Sequence, residues 1–172
     1  MKKKLILIAS FVLLLLTTAC SSSGIGGSHE STTDVDDLKV YESPLYPVGT
    51  DIIINTDHME GMMDAKGSVS GAYDTTLYAV DYISDETGEK VTNHKWIIKE
   101  EIKDSKDKDY SVGDKVTLMT GHMSSMGGEG VTATIVEVVN GPAYMIDYTP
   151  TNGEKEVKNH QWVSESELKS AN

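Results

Sequence analysis

Between Leu38 and Leu168, short apolar runs alternate with clusters of Gly, Asn, Asp and Thr, and no stretch sustains a 3.6-residue period. Ile52-Ile53-Ile54 and Val116-Thr117-Leu118 follow Val-Gly pairs and read as strands. Residues 69–73 and 131–139 read as second strands, and 77–83 and 143–148 as third ones. In 77–83 the alternation puts Tyr78, Val80 and Tyr82 on one face, opposite Ala79 and Asp81. Glu86-Thr87-Gly88-Glu89 and Thr151-Asn152-Gly153-Glu154 are hairpin turns. A fourth strand carries Asn-His-x-Trp. Its His94 and Trp96 are two residues apart and so share a face, as do His160 and Trp162. Helix is expected only as single turns.

These elements occur twice. Tyr46-Pro-Val-Gly at the head of Asp57-His58-Met59-Glu60-Gly61-Met62 aligns with Tyr110-Ser-Val-Gly at the head of Gly121-His122-Met123-Ser124-Ser125-Met126, at an offset of 64. Tyr78-Ala-Val-Asp81-Tyr82 aligns with Tyr144-Met-Ile-Asp147-Tyr148, and Asn93-His94-Lys95-Trp96 with Asn159-His160-Gln161-Trp162, both at an offset of 66. Glu101-Ile102 and Glu167-Leu168 close the copies. The spacing predicts an all-β chain of two small barrels, residues 38–103 and 104–172. At that size each core is near the lower limit of self-sufficiency.

The N-terminus follows a different logic. Lys2, Lys3 and Lys4 precede an apolar run over 5–16, too short for a transmembrane helix, then Thr17, Thr18, Ala19 and Cys20. Residues 1–19 are a signal peptide. The junction resembles the lipobox of bacterial lipoproteins, which implies that Cys20 is lipidated and anchors the chain to the outer face of the membrane. Residues 20–37, rich in Ser, Gly, Thr and Asp, read as a flexible tether.

Charge narrows the function. The chain has 15 Lys, no Arg and 27 acidic residues, a net −12; loss of the leader lysines leaves 12 against 27, or −15. A surface this acidic repels nucleic acid. One Cys builds neither a disulfide framework nor a multi-Cys metal site. Nucleophile elbow, P-loop and Rossmann fingerprint are all missing from the sequence, and nothing argues for catalysis.

The remaining chemistry is imidazole and thioether. Past the leader there are five His and seven Met, and four of those His and five of those Met fall at the repeated motifs. His58, Met59, Met62 and Met63 stand in copy one, His122, Met123 and Met126 in copy two, with His94 and His160 following. Soft thioethers with borderline imidazoles favour Cu(I). In a tight turn, residues at i, i+3 and i+4 lie on one side, which would let His58, Met62 and one of Met59 or Met63 converge. Three alternatives stay open. The Met side chains fill a core or form a protein-binding surface. The His beside each Trp is packed or hydrogen-bonded. His with Asp57 or Asp81 holds Zn²⁺ or Cu²⁺.

The blocks Thr56-Asp57-His58-Met59-Glu60-Gly61-Met62, Gly71-Ala72-Tyr73-Asp74-Thr75-Thr76, Tyr78-Ala-Val-Asp-Tyr82 and Asn93-His94-Lys95-Trp96, with their second copies, resemble the YdhK-type, CopL-like copper-binding lipoproteins of Gram-positive bacteria. The resemblance runs from about Leu38 to Leu168. It implies two tandem five-stranded barrels of Src-homology-3-like type. It also implies Cu(I) ligands at His58, Met59, Met62 and His94, and at His122, Met123, Met126 and His160. Gly127 replaces Met63 in copy two. The expected protein is a non-enzymatic, monomeric copper-resistance lipoprotein on the extracellular face of the cell membrane. It buffers the ion or passes it to a copper exporter. The other expectation is a tandem-barrel module that binds cell wall or protein.

Overall fold

The computed structural model describes residues 33–85, 87–119 and 130–172. The expected signal peptide, Cys20, and the copy-two segment with His122, Met123 and Met126 lie outside them. Seven strands form: β1 (Asp51–Ile54), β2 (Lys66–Ile83), β3 (Lys90–Ile98), β4 (Lys115–Thr117), β5 (Thr132–Thr149), β6 (Val157–Ser164) and β7 (Leu168–Ser170). Two single 3₁₀ turns, Lys99–Glu101 and Glu165–Glu167, follow β3 and β6. The all-β expectation holds, and helix among the described residues is confined to such turns.

The expectation of two separate five-stranded barrels gives way to one open antiparallel sheet in the order β4-β5-β2-β1-β7, with β3 added to β2 and β6 to β5. The physical reason is strand length. The second and third strands expected in each copy are continuous, because the polar links between them remain extended. Asp74, Thr75 and Thr76 pair with Pro142, Gly141 and Asn140. Pro142, which cannot donate to a ladder, falls between the stretch of β5 paired with β4 and the stretch paired with β6. The resulting 18-residue strands pair from Lys66↔Thr149 to Tyr82↔Ala133. Their approach is close: a Cβ on Gly67 would lie 2.2 Å from the Asp147 carbonyl oxygen.

Strands this long serve two cores. One half of β2 pairs with β1 and the other half with β3. The first core joins Ile52, Ile54, Met62 and Val69 of copy one to Tyr144, Ile146, Tyr148, Val163 and Leu168 of copy two. The second joins Tyr78, Val80, Tyr82, Ile97 and Ile102 to Val116, Leu118, Ala133 and Ile135. Between them, Tyr73, Leu77, Trp96, Ile98, Met145 and Trp162 form a central cluster. Val35 and Leu38 pack against that cluster, so the end of the expected tether is docked on the sheet.

The expected shared face of His94 and Trp96 is not kept. Val80 pairs with His94, but Tyr78 pairs with Ile97 and Tyr82 with Val91, so β3 carries extra residues on both sides of His94. Asn93 sits at φ 52° and Asn159 at φ 51° in these irregular stretches. Asp81 and Asp147 each accept the following Asn amide at 2.8 Å, and pair with Lys90 and Lys158. The Asn93 amide, then Lys90, holds the Asp81 carboxyl below its ordinary range.

Candidate metal-binding site

The loop after β1 carries His58, and its own turns shape it. Met62 N–H donates to Met59 O at 3.1 Å, and Ala65 N–H to Met62 O at 3.0 Å. Ile54 and Ala65 close the loop at 2.9 Å. Gly61 takes φ +81°, a left-handed conformation that costs other residues, and a Cβ there would meet Asn152 at 3.0 Å. Thr151, in the copy-two hairpin turn, donates its amide (3.0 Å) and hydroxyl (3.2 Å) to Gly61 O.

His58 is turned inward, with its side chain 8% exposed. Its Nε2 donates to Glu167 Oε1 at 2.7 Å, and its ring meets Trp96 edge-on at 6.3 Å between centroids. The Glu167 carboxylate is crowded with donors. Thr56 Oγ1 reaches Oε1 at 3.3 Å. Trp96 Nε1 (2.7 Å), Ser164 N–H (2.9 Å) and Ser164 Oγ (2.9 Å) reach Oε2. Burial pushes this carboxyl up, but His58, the Ser164 amide and the Trp96 indole outweigh it and hold it at about 2, against an ordinary 4.5. Glu167 is therefore an anion that accepts on both oxygens.

His58 Nδ1 is buried and has no hydrogen-bond partner. An orphan of this kind costs roughly 1–3 kcal/mol. With Nε2–H donating to Glu167, the neutral form of the ring carries its lone pair at Nδ1. That is the arrangement of carboxylate–histidine–metal triads.

The other expected ligands are placed unevenly. Met62 is fully buried in the first core. Met59 is half-buried against it, and Met63 is 41% exposed. His94 lies edge-on to Tyr82 of the second core at 5.7 Å, and the buried His160 stands likewise to Tyr148 of the first. Among the described residues no three His, Cys, Asp or Glu side chains are placed to share a metal ion. A site of the expected soft kind thus depends on thioethers, and the Zn²⁺ or Cu²⁺ alternative built on Asp57 or Asp81 finds no such group there.

Sequence reading gave Glu167 only as the end of a copy, with no role at the site. The structure repeats its role in reverse: Glu101 of copy one accepts from Trp162 Nε1 of copy two at 3.2 Å, from Ile98 N–H at 2.9 Å and from Thr33 Oγ1. Each copy's closing Glu therefore reaches the other copy's Trp. The available signal was the Glu repeated at the 66-residue offset shared with Asn-His-x-Trp.

The fold and this loop define a two-copy all-β protein with a His-Met loop over a buried carboxylate. The family model described as "Protein of unknown function (DUF1541)" matches residues 48–99 and again 112–165. The "Uncharacterized protein YdhK" of Bacillus subtilis (strain 168) is 47% identical over 141 residues, 81% of this chain and 68% of that protein. The crystal structure of YdhK superposes with a TM-score of 0.77 at 46% identity, covering 83% of this chain and 97% of that one. The solution structure of the YdhK C-terminal domain gives 0.68 at 48% identity, covering 73% and 93%. The chain belongs to the YdhK-type DUF1541 family.

Proposed function

We propose that this is a non-enzymatic, extracytoplasmic lipoprotein, held at the cell membrane through Cys20, that binds Cu(I) and sequesters it in copper resistance. One observation carries the reading: the buried His58 ring with an unpartnered Nδ1, in a loop that also supplies thioethers. Met59 and Met63 are the proposed sulfur donors. Met62, enclosed in the first core, supports the loop by packing. His122, Met123 and Met126 form the proposed second set, and His94 and His160 are included as the resemblance implies them. The ion is either buffered at the membrane surface or passed to a copper exporter.

Titration with Cu(I) against a chromogenic chelator tests this. The protein should compete at micromolar chelator, and His58→Ala combined with Met59→Leu and Met63→Leu should weaken competition. Absence of competition by the intact protein, or an unchanged curve in the triple variant, rejects the reading.

A second reading, a module that binds cell wall or protein, is favoured by a cavity of about 420 Å³ lined by Leu45, Tyr46, Val139, Pro142, Glu165 and Leu168. Leu45 is 65% exposed at its rim. Retention on cell wall that ignores both chelators and the triple variant would support it.

A further inference from the structure

We infer that Glu167 is a positioning residue: it fixes the Nε2–H tautomer of His58, so that Nδ1 is the atom offered to a metal ion and the copy-one site is complete only with copy two. The inference rests on the proposed copper reading and deepens it by naming the ligating atom and its support.

Three observations converge. His58 Nε2 is spent on Glu167 Oε1 at 2.7 Å, which leaves that nitrogen no lone pair for a metal. Nδ1 is buried and unpartnered, on a ring 8% exposed. The carboxylate cannot turn away, because Oε2 is held by two donors that never accept, the Trp96 indole and the Ser164 amide. The backbone adds a further tie: Asn55 N–H donates to Glu167 O at 2.8 Å, fastening the start of the His58 loop to the turn that carries the carboxylate.

Substitution with glutamine separates position from charge. In Glu167→Gln one carboxylate oxygen becomes an NH₂ group. Trp96 and Ser164 need an acceptor, so the NH₂ group faces His58 and now donates to its ring. His58 should switch to the Nδ1–H tautomer and lose its ligating lone pair. Loss of such an outer hydrogen bond lowers metal affinity roughly 10- to 100-fold.

The test uses the full mature chain without metal first. Nitrogen-15 NMR of the imidazoles, with His58 assigned by its loss in His58→Ala, should show Nε2–H in the native protein and Nδ1–H in Glu167→Gln. Chelator competition with Cu(I) should then show affinity reduced 10- to 100-fold in Glu167→Gln. Glu167→Asp, which keeps the charge, should lose less. A native Nδ1–H tautomer overturns the inference even if neither variant folds. So does a folded Glu167→Gln protein with unchanged tautomer and unchanged affinity. The copper reading fails separately, when the native protein binds no Cu(I); the NMR comparison still decides whether Glu167 sets the tautomer.

Discussion

At the scale of single residues, neighbouring methionines have different work. Met62 is enclosed in the first core and Met63 faces solvent. Met62→Ala should cost about 2–5 kcal/mol of stability through lost packing and a cavity. Met63→Ala should change stability by less than about 0.5 kcal/mol and act on Cu(I) affinity instead. Urea denaturation paired with chelator competition separates the two effects. Glu167 adds a pH signature. Its carboxyl is lowered from 4.5 to about 2 in the folded protein, so its contribution is fully present above pH 4.5 and fades as pH falls toward 2. The shift corresponds to about 3 kcal/mol. Denaturation midpoints at pH 7, 4 and 2.5 should therefore converge between the native protein and Glu167→Gln as the solution is acidified. Copper affinity should also decline from pH 8 to pH 5, because protonated imidazole does not ligate. A flat profile with His58 still required would contradict that.

At the scale of elements, period-two alternation placed Tyr78, Val80 and Tyr82 in one core together, and the hairpin glycines at 88 and 153 take positive φ. Strand ends were harder to read. Asp74-Thr75-Thr76 has the polarity of a turn, and only the partner strand β5 keeps it extended. The shared face of His94 and Trp96 failed for a related reason: the extra residues in β3 become visible only in its register with β2. Close pairing of β2 and β5 carries its own prediction. Gly67→Ala places a Cβ against the Asp147 carbonyl, a backbone atom with little freedom to move. It should cost roughly 1–3 kcal/mol, read as a lowered thermal midpoint.

At the scale of the whole molecule, the copies are interlocked. Each outer core takes residues from both, and each buried Glu bonds the opposite Trp. Residues 38–103 alone would lack Tyr144, Ile146, Tyr148, Val163 and Leu168 from the first core. That fragment should stay unfolded by circular dichroism, while the intact pair unfolds in one transition. The sequence by itself determined the all-β class, the duplicated order of elements and the His-Met loop. These follow from local alternation and from comparing the chain with itself. Tertiary structure decided which halves share a core and which carboxylate meets His58. Partners 109 residues apart are selected by strand length and packing, and neither leaves a periodic trace in the chain.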